Sequence, residues 1–327
     1  MLGTLAFATI ALLVTGYVLL DGYDLGIAAI APLIGRNAQE RGAAMASIGP
    51  FWNGNEVWLI VAGAALFALF PVAYASSFSG FYLPFIVVLW MLMFRGIAME
   101  LRDHLDSDLW RQFWDAAFWL SSVALMALFG VALGNLVRGV PLDRHGYFTG
   151  TFAFLLNPYA LLVGVFAIVA LAQHGAAFAR LRIEGAPAER AARLQPGLWW
   201  IALVLYVALT AATFAVRAMP PTWLIVMPII SLLGLLVLRH ASRTQHLRRA
   251  FAASAIFLTS LLVEAAGTLY PYLLPSFPGG RGGISVADAA PPSSLAVGLV
   301  VTLGGTMCVL IYAVAVWRGL SGKVRVE

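Results

Sequence analysis

Residues 2–26 read LGTLAFATIALLVTGYVLLDGYDLG, and residues 49–61 read GPFWNGNEVWLIV. The first stretch runs unbroken and apolar from Leu2 to Leu20, then ends in Asp21 and Asp24. The second opens on Asn53, Asn55 and Glu56 and turns apolar again. An apolar run of about 20 residues is the length that crosses hydrocarbon as a helix. The helix begun at Leu2 is expected to continue past Leu20 through Asp24 toward Ile34. A charge placed in hydrocarbon costs about 2.5–3.5 kcal/mol even on the lenient scale, so carboxylates crowded where two such helices meet mark a candidate functional site. The alternative for each one is a hydrated interfacial group, or a helix cap. Pro50 ahead of Asn53 and Asn55 suits a helix start, where the positive end of the dipole favours carboxylates.

The rest of the chain repeats the first pattern. Of its 327 residues, 61% are hydrophobic and 11% are charged, against about 25% charged in soluble domains. The fold class is an all-α polytopic membrane protein. About nine spans are expected: Leu2–Leu20, Val57–Tyr74, Phe78–Met99, Phe113–Val137, Leu155–Ala179, Leu198–Val216, Trp223–Leu238, Ala250–Tyr272 and Leu295–Trp317. Continuous rather than alternating apolarity argues against a β-barrel. The first run lacks a positive leader and is too long for a signal-peptide core, so it is read as a retained span.

Of the 20 Lys and Arg residues, only Arg138, Arg144, Arg217 and Arg281 fall on one side of this arrangement. The positive-inside rule then places the N-terminus outside and the C-terminus in the cytoplasm. It also places the Asp21–Glu56 region at the cytoplasmic face. The net charge of +5 lies in short loops, with no basic tract suited to nucleic acid. The longest outside connections, Arg138–Phe154 and Leu273–Ser294, leave no room for a soluble catalytic module. Cys308 is the single cysteine, so no intrachain disulfide forms.

Few residues suit redox or hydrolytic chemistry. His104, His240, His246 and His145 fall in loops, and His174 falls at the expected cytoplasmic end of the fifth span, where an interfacial role is the simpler reading. No two histidines face each other across helices as axial haem ligands would, so this chain is expected to supply none. No metal-ligand spacing, nucleotide-binding glycine motif or Ser-His-Asp arrangement is found. The glycines of GVALG (130–134) suit helix packing. Arg95 lies at the edge of the third span and needs a partner; a structural ion pair with Glu100 or Asp115, or a contact to lipid phosphate, is expected. Glu264, about 14 residues into the eighth span, is left open between a hydrogen-bonded neutral group, a second proton path and a partner-facing group. The end of the first span also echoes that of the fifth (LLVGVFAIVALAQHGAA, 161–177), as a four-span repeat would.

Several polar motifs occur in order: DGYDLG (21–26), SIGPFWNGNEVWLIVAGAALFALFP (47–71), YASSFSGFYLPF (74–85), FRGIAMELR (94–102), WRQFWD (110–115), GNLVRGVP (134–141), LLNPYALLVG (155–164) and YPYLLPS (270–276). Through them the chain resembles subunit II of the cytochrome bd-type quinol oxidases, essentially end to end. The resemblance implies a non-haem subunit of a terminal oxidase of the bacterial inner membrane that oxidises quinol and reduces dioxygen to water. Haem b and haem d would reside in the partner, subunit I, and small accessory subunits join some members. It also implies two four-helix bundles, residues 1–140 and 141–275, with a loop and ninth helix at 276–327. Some members hold a structural quinone in this subunit.

The resemblance further implies a cytoplasmic proton path. Asp24 matches the second acidic position of DGYDLG. The acidic residue usual in the WDGN motif is replaced by Asn53, and Glu56 one turn later is expected to substitute. Asp24, Glu56, Asn53 and Asp21 are therefore the expected proton path. Two rival readings are a secondary transporter, which also uses repeated bundles and intramembrane carboxylates, and a purely structural scaffold subunit.

Overall fold

The structure, a computed structural model, describes residues 1–217, 226–278, 282–320 and 322–325. The expected start of the seventh span at Trp223, and Arg281, lie outside the described residues. Eight helices are long and apolar enough to cross a membrane: α1 (Leu2–Ile34), α5 (Tyr82–Leu101), α6 (Asp108–Arg138), α8 (Pro158–Arg182), α9 (Ala186–Val216), α10 (Val226–Arg243), α11 (Leu247–Leu269) and α12 (Pro292–Leu320). The expected second span is α3 (Trp52–Leu69), whose 18 residues begin with the polar WNGNE and fall outside that set. Shorter helices are α2 (Ala38–Ile48), α4 (Pro71–Gly80) and α7 (Phe152–Leu155).

The second apolar run does not continue to Tyr74 as one helix. It breaks at Phe70, which stands before Pro71 with φ −138° and ψ 68°. The residue ahead of a proline is pushed out of the α region by the ring, and the same proline then suits the first turn of α4. Nor do Asn53 or Asn55 cap α3. Its N-cap is Phe51, with no side-chain cap, and the asparagine amides fall inside the first turns.

Helix α1 is the axis of the molecule, packing against α3, α6 and α8. Lipid tails supply no hydrophobic force between helices, so close approach depends on small residues. Gly26 and Gly175 make the α1–α8 crossing: a Cβ on Gly26 would overlap the Leu171 carbonyl oxygen, and one on Gly175 would overlap the Gly26 backbone. The α6–α8 contact is built the same way. Gly130 lies against Gly164, and Gly134 against Ala160, which is the packing role expected of GVALG. Beyond these, α9 packs on α8, α10 on α11, and α12 on α3.

Polar ties hold the arginine-rich end. Asn37 caps α2 by accepting from the Glu40 amide at 2.8 Å. Glu40 in turn accepts from Arg190 at 2.6 and 3.0 Å and from the Arg36 amide at 2.6 Å, which fixes the α1–α2 connection to α9. The Arg190 guanidinium, together with these amides, holds the Glu40 carboxyl below the usual glutamate range. Asp115 accepts from Arg41 and Arg102, each at 2.6 Å. At the opposite end, β1 (Tyr272–Pro275) and β2 (Gly283–Ser285) form an antiparallel pair. Arg138 is held there between the Phe154 and Phe277 rings, 4.7 and 4.4 Å from their centroids.

Candidate functional site

Three helices converge on one guanidinium. Arg95 of α5 is fully buried, as are Asp21 and Asp24 of α1, each at 0% exposure. Nη1 and Nη2 of Arg95 donate to Asp21 Oδ2 and Oδ1 at 2.9 and 2.5 Å. Nη1 also donates to Glu56 Oε1 of α3 at 3.0 Å, and Nη2 lies 3.8 Å from Asp24 Oδ2. The planar fork of arginine matches a carboxylate with two parallel bonds, which a lysine cannot do. Glu56 differs from the aspartates in keeping 23% of its side chain exposed. The cluster therefore runs from a group at the surface of the chain to groups with no access at all.

Asn55 holds the other side of Asp24. Its amide nitrogen lies 2.7 Å from Asp24 Oδ2, 2.9 Å from the Tyr23 hydroxyl and 3.2 Å from the Leu20 carbonyl. Asp24 Oδ1, Arg95 Nε, the Tyr17 hydroxyl and Trp58 Nε1 are buried without a partner among the described residues. Buried polar atoms are ordinarily paired by protein or ordered water, so the hydrogen-bonding capacity of the cluster extends beyond its ion pairs.

The partner of Arg95 is neither Glu100 nor Asp115. Glu100 is five residues on, about 140° round the helix, and is exposed with no ion pair among the described residues. Asp115 is occupied by Arg41 and Arg102. Arg95 instead turns inward to the α1 and α3 carboxylates. The asparagine that touches Asp24 is Asn55, not Asn53. Asn53 is exposed and lies one turn before Glu56. The spacing could have revealed this, because Asn53 and Asn55 point about 200° apart on a helix.

His174 is not interfacial. It is buried between α1 and α11, with Nδ1 2.7 Å from Ser254 Oγ and Nε2 3.1 Å from the Leu19 carbonyl. Both ring nitrogens are engaged, which leaves no lone pair directed at an iron. Among the described residues no group of three His, Cys, Asp or Glu side chains is placed to hold a metal ion. Glu264 lines an apolar cavity of about 170 Å³ between α1, α6, α8, α9 and α11. Tyr17, Tyr159, Tyr206 and Thr210 are among the other residues of that wall.

An all-α polytopic protein with a carboxylate–guanidinium cluster enclosed among its helices is an integral membrane protein built around intramembrane charge. Residues 2–320 match the family described as cytochrome bd terminal oxidase subunit II. A Haemophilus influenzae protein named probable cytochrome oxidase subunit 2 is 30% identical, covering 94% of this chain and 90% of that one. The cytochrome bd-I ubiquinol oxidase subunit 2 of Escherichia coli is 40% identical over a shorter match, 54% of this chain and 48% of the relative. The solved bd oxidase from Geobacillus thermodenitrificans shares the fold with a TM-score of 0.79 at 16% identity, covering 97% and 98% of the two chains. The chain belongs to the cytochrome bd oxidase subunit II family. It is a multi-pass subunit, in the bacterial inner membrane, of an oxidoreductase complex.

Proposed function

We propose that this chain is the non-haem subunit that braces the haem-bearing subunit I of a quinol:dioxygen oxidoreductase and conducts protons from the cytoplasm toward the site of dioxygen reduction. Reduction of dioxygen to water consumes protons, and taking them from one side of the membrane contributes to a proton motive force. The observation that carries this reading is the graded cluster. Glu56 is partly exposed, Arg95 bridges it to Asp21, and Asp24 lies beyond with Asn55. One guanidinium faces three carboxylates, two more acidic groups than it can neutralise. Glu56 serves as the entrance, Asp21 and Asp24 as the inner stations, and Asn55 as the group that holds Asp24 in place. Asn53 borders the entrance from outside and takes no proton.

The same reading sets the topology. Counting α3, the chain crosses nine times, with the N-terminus outside and the arginine-rich end in the cytoplasm. Helices α1, α3, α5 and α6 form the first bundle (1–140), α8 to α11 the second (141–275), and α12 lies against α3 (276–327). The haems b and d belong to subunit I, which faces this chain together with any small accessory subunits. The cavity beside Glu264 suits the head group of a structural quinone: its wall is apolar, and Tyr159 and Glu264 are the polar groups that would meet a ring oxygen.

A purely scaffolding subunit is favoured by the same ion pairs, since they tie α1, α3 and α5 together. The two readings separate on the double variant Glu56→Gln, Asp24→Asn. In a complex purified through a tag on this chain, haem b and d bands identify the oxidase. With those bands intact, the proton-path reading expects oxygen turnover and membrane charging to fall at least tenfold. Unchanged turnover and charging leave the scaffold.

A further inference from the structure

We infer that the pocket between the ends of α8, α9 and α10 binds the phosphate of an anionic phospholipid. This site is separate from the carboxylate cluster and does not depend on the proton-path reading. The pocket has a volume of about 220 Å³ and is lined by Arg180, Gln195, Trp199, Arg239, Ser242 and Arg243, among others.

Its charge is uncompensated. No carboxylate among the described residues lies within 4.0 Å of Arg180, Arg239 or Arg243, although the neighbouring Arg190 and Arg193 are both paired. Arg180 is buried, and its donors go to neutral acceptors: the Gln195 side-chain oxygen, the Ser242 carbonyl at 3.2 Å and Gln245 Oε1 at 2.9 Å. Arg239 lies over the Trp199 and Trp200 rings, 4.5 and 5.2 Å from their centroids. Stacking directs a guanidinium without neutralising it.

Three further polar atoms in the same wall are buried and unpartnered: Gln195 Nε2, Ser242 Oγ and Gln173 Oε1. Two are donors, and the Gln173 amide presents its donor end by a half-turn about its last bond. A buried donor without an acceptor is destabilising; several beside unneutralised arginines describe an oxyanion site.

Depth selects the lipid. Arg180 and Arg243 stand in the last turns of α8 and α10, and the exposed Trp200 marks the interface level. Basic pockets between spans at that level meet the headgroups of the leaflet. The exposed apolar side chains Ile201 and Val204 of α9 continue below Trp200 and offer a surface for the acyl chains.

The test uses the complex purified in neutral detergent and stripped of phospholipid. Phosphatidylglycerol is titrated into the micelles, with phosphatidylcholine and inorganic phosphate as separate arms. Unfolding temperature and bound phospholipid by native mass spectrometry are the readouts. Phosphatidylglycerol is expected to raise the unfolding temperature and to remain bound, while the other two do neither. Each arginine removed weakens the response roughly fivefold, so Arg239→Gln with Arg243→Gln shifts the half-effect concentration about 25-fold. Ser242→Ala with Arg243→Gln breaks no side-chain hydrogen bond or ion pair among the described residues and serves as the second variant; it also shifts the titration. Equal protection by phosphatidylcholine, or an unshifted titration in both double variants, overturns the site. Equal protection by inorganic phosphate overturns the lipid assignment.

Discussion

Arg95 and Asp21 form a two-armed ion pair with no solvent exposure on either side, their nitrogen–oxygen distances being 2.5 and 2.9 Å. Removing one partner of such a pair leaves a buried uncompensated charge, at a cost of about 3–5 kcal/mol. Arg95→Leu strands three carboxylates and is expected to abolish recovery of the folded complex. Arg95→Lys recovers it only in part, because a lysine cannot bridge Asp21 and Glu56 together. Yield of assembled complex by gel filtration, read beside an exposed control at Glu100→Gln that changes nothing, checks both.

The two asparagines of α3 are expected to behave oppositely. Asn53→Ala, at an exposed position, leaves oxygen turnover within about twofold of the parent. Asn55→Leu removes the donor to Asp24 at 2.7 Å and the link to Tyr23. Leaving that buried acceptor without its donor costs about 1–3 kcal/mol, so the complex loses thermal stability and turnover falls. Oxygen-electrode rates of the two variants in parallel decide the matter.

Crowding at the α1–α8 crossing gives a test of the fold alone. Gly26→Val and Gly175→Val each place a side chain where the opposing backbone stands. Overpacking a tight contact costs about 1–3 kcal/mol, and here the listener is backbone that cannot swing aside. Both variants are expected to lower the unfolding temperature, while valine at Gly63, where the added atom meets nothing within 4 Å, does not.

Acid stability is expected to depend on Glu40. Its carboxyl is held below the ordinary glutamate value of 4.5, chiefly by Arg190. The folded state thus binds its proton less readily than the unfolded state. The stabilisation is fully present above the unfolded value and is lost as pH falls through the folded one. The unfolding temperature should therefore drop as pH is lowered below about 4.5, and Glu40→Gln should flatten that part of the profile while lowering the plateau above it.

The spans were legible because hydropathy is averaged over many residues, and one polar side chain does not erase the signal. Boundaries were less so: Pro71 stops α3 by local sterics at Phe70, inside a run that is apolar throughout. The motif around Asp21, Asp24 and Glu56 was legible from the cost of charge in hydrocarbon. Its wiring was not. Arg95 has acidic neighbours nearby in sequence, but its partners are 74 and 39 residues away, on helices whose rotation no local pattern reveals. His174 was misplaced for the same reason. The end of α8 is covered by α1 and α11, so a residue near a helix end is enclosed rather than interfacial.

The proposed route carries protons to the oxygen-reducing site through the Glu56–Arg95–Asp24 cluster. Its most direct test is proton uptake by the fully reduced, purified complex after an oxygen pulse, followed with a pH indicator. Asp24→Asn is compared with the parent at equal haem content. On this route, uptake slows at least tenfold in the variant while the haem bands of the reduced complex are unchanged. Uptake at the parent rate, with those bands intact, would contradict it.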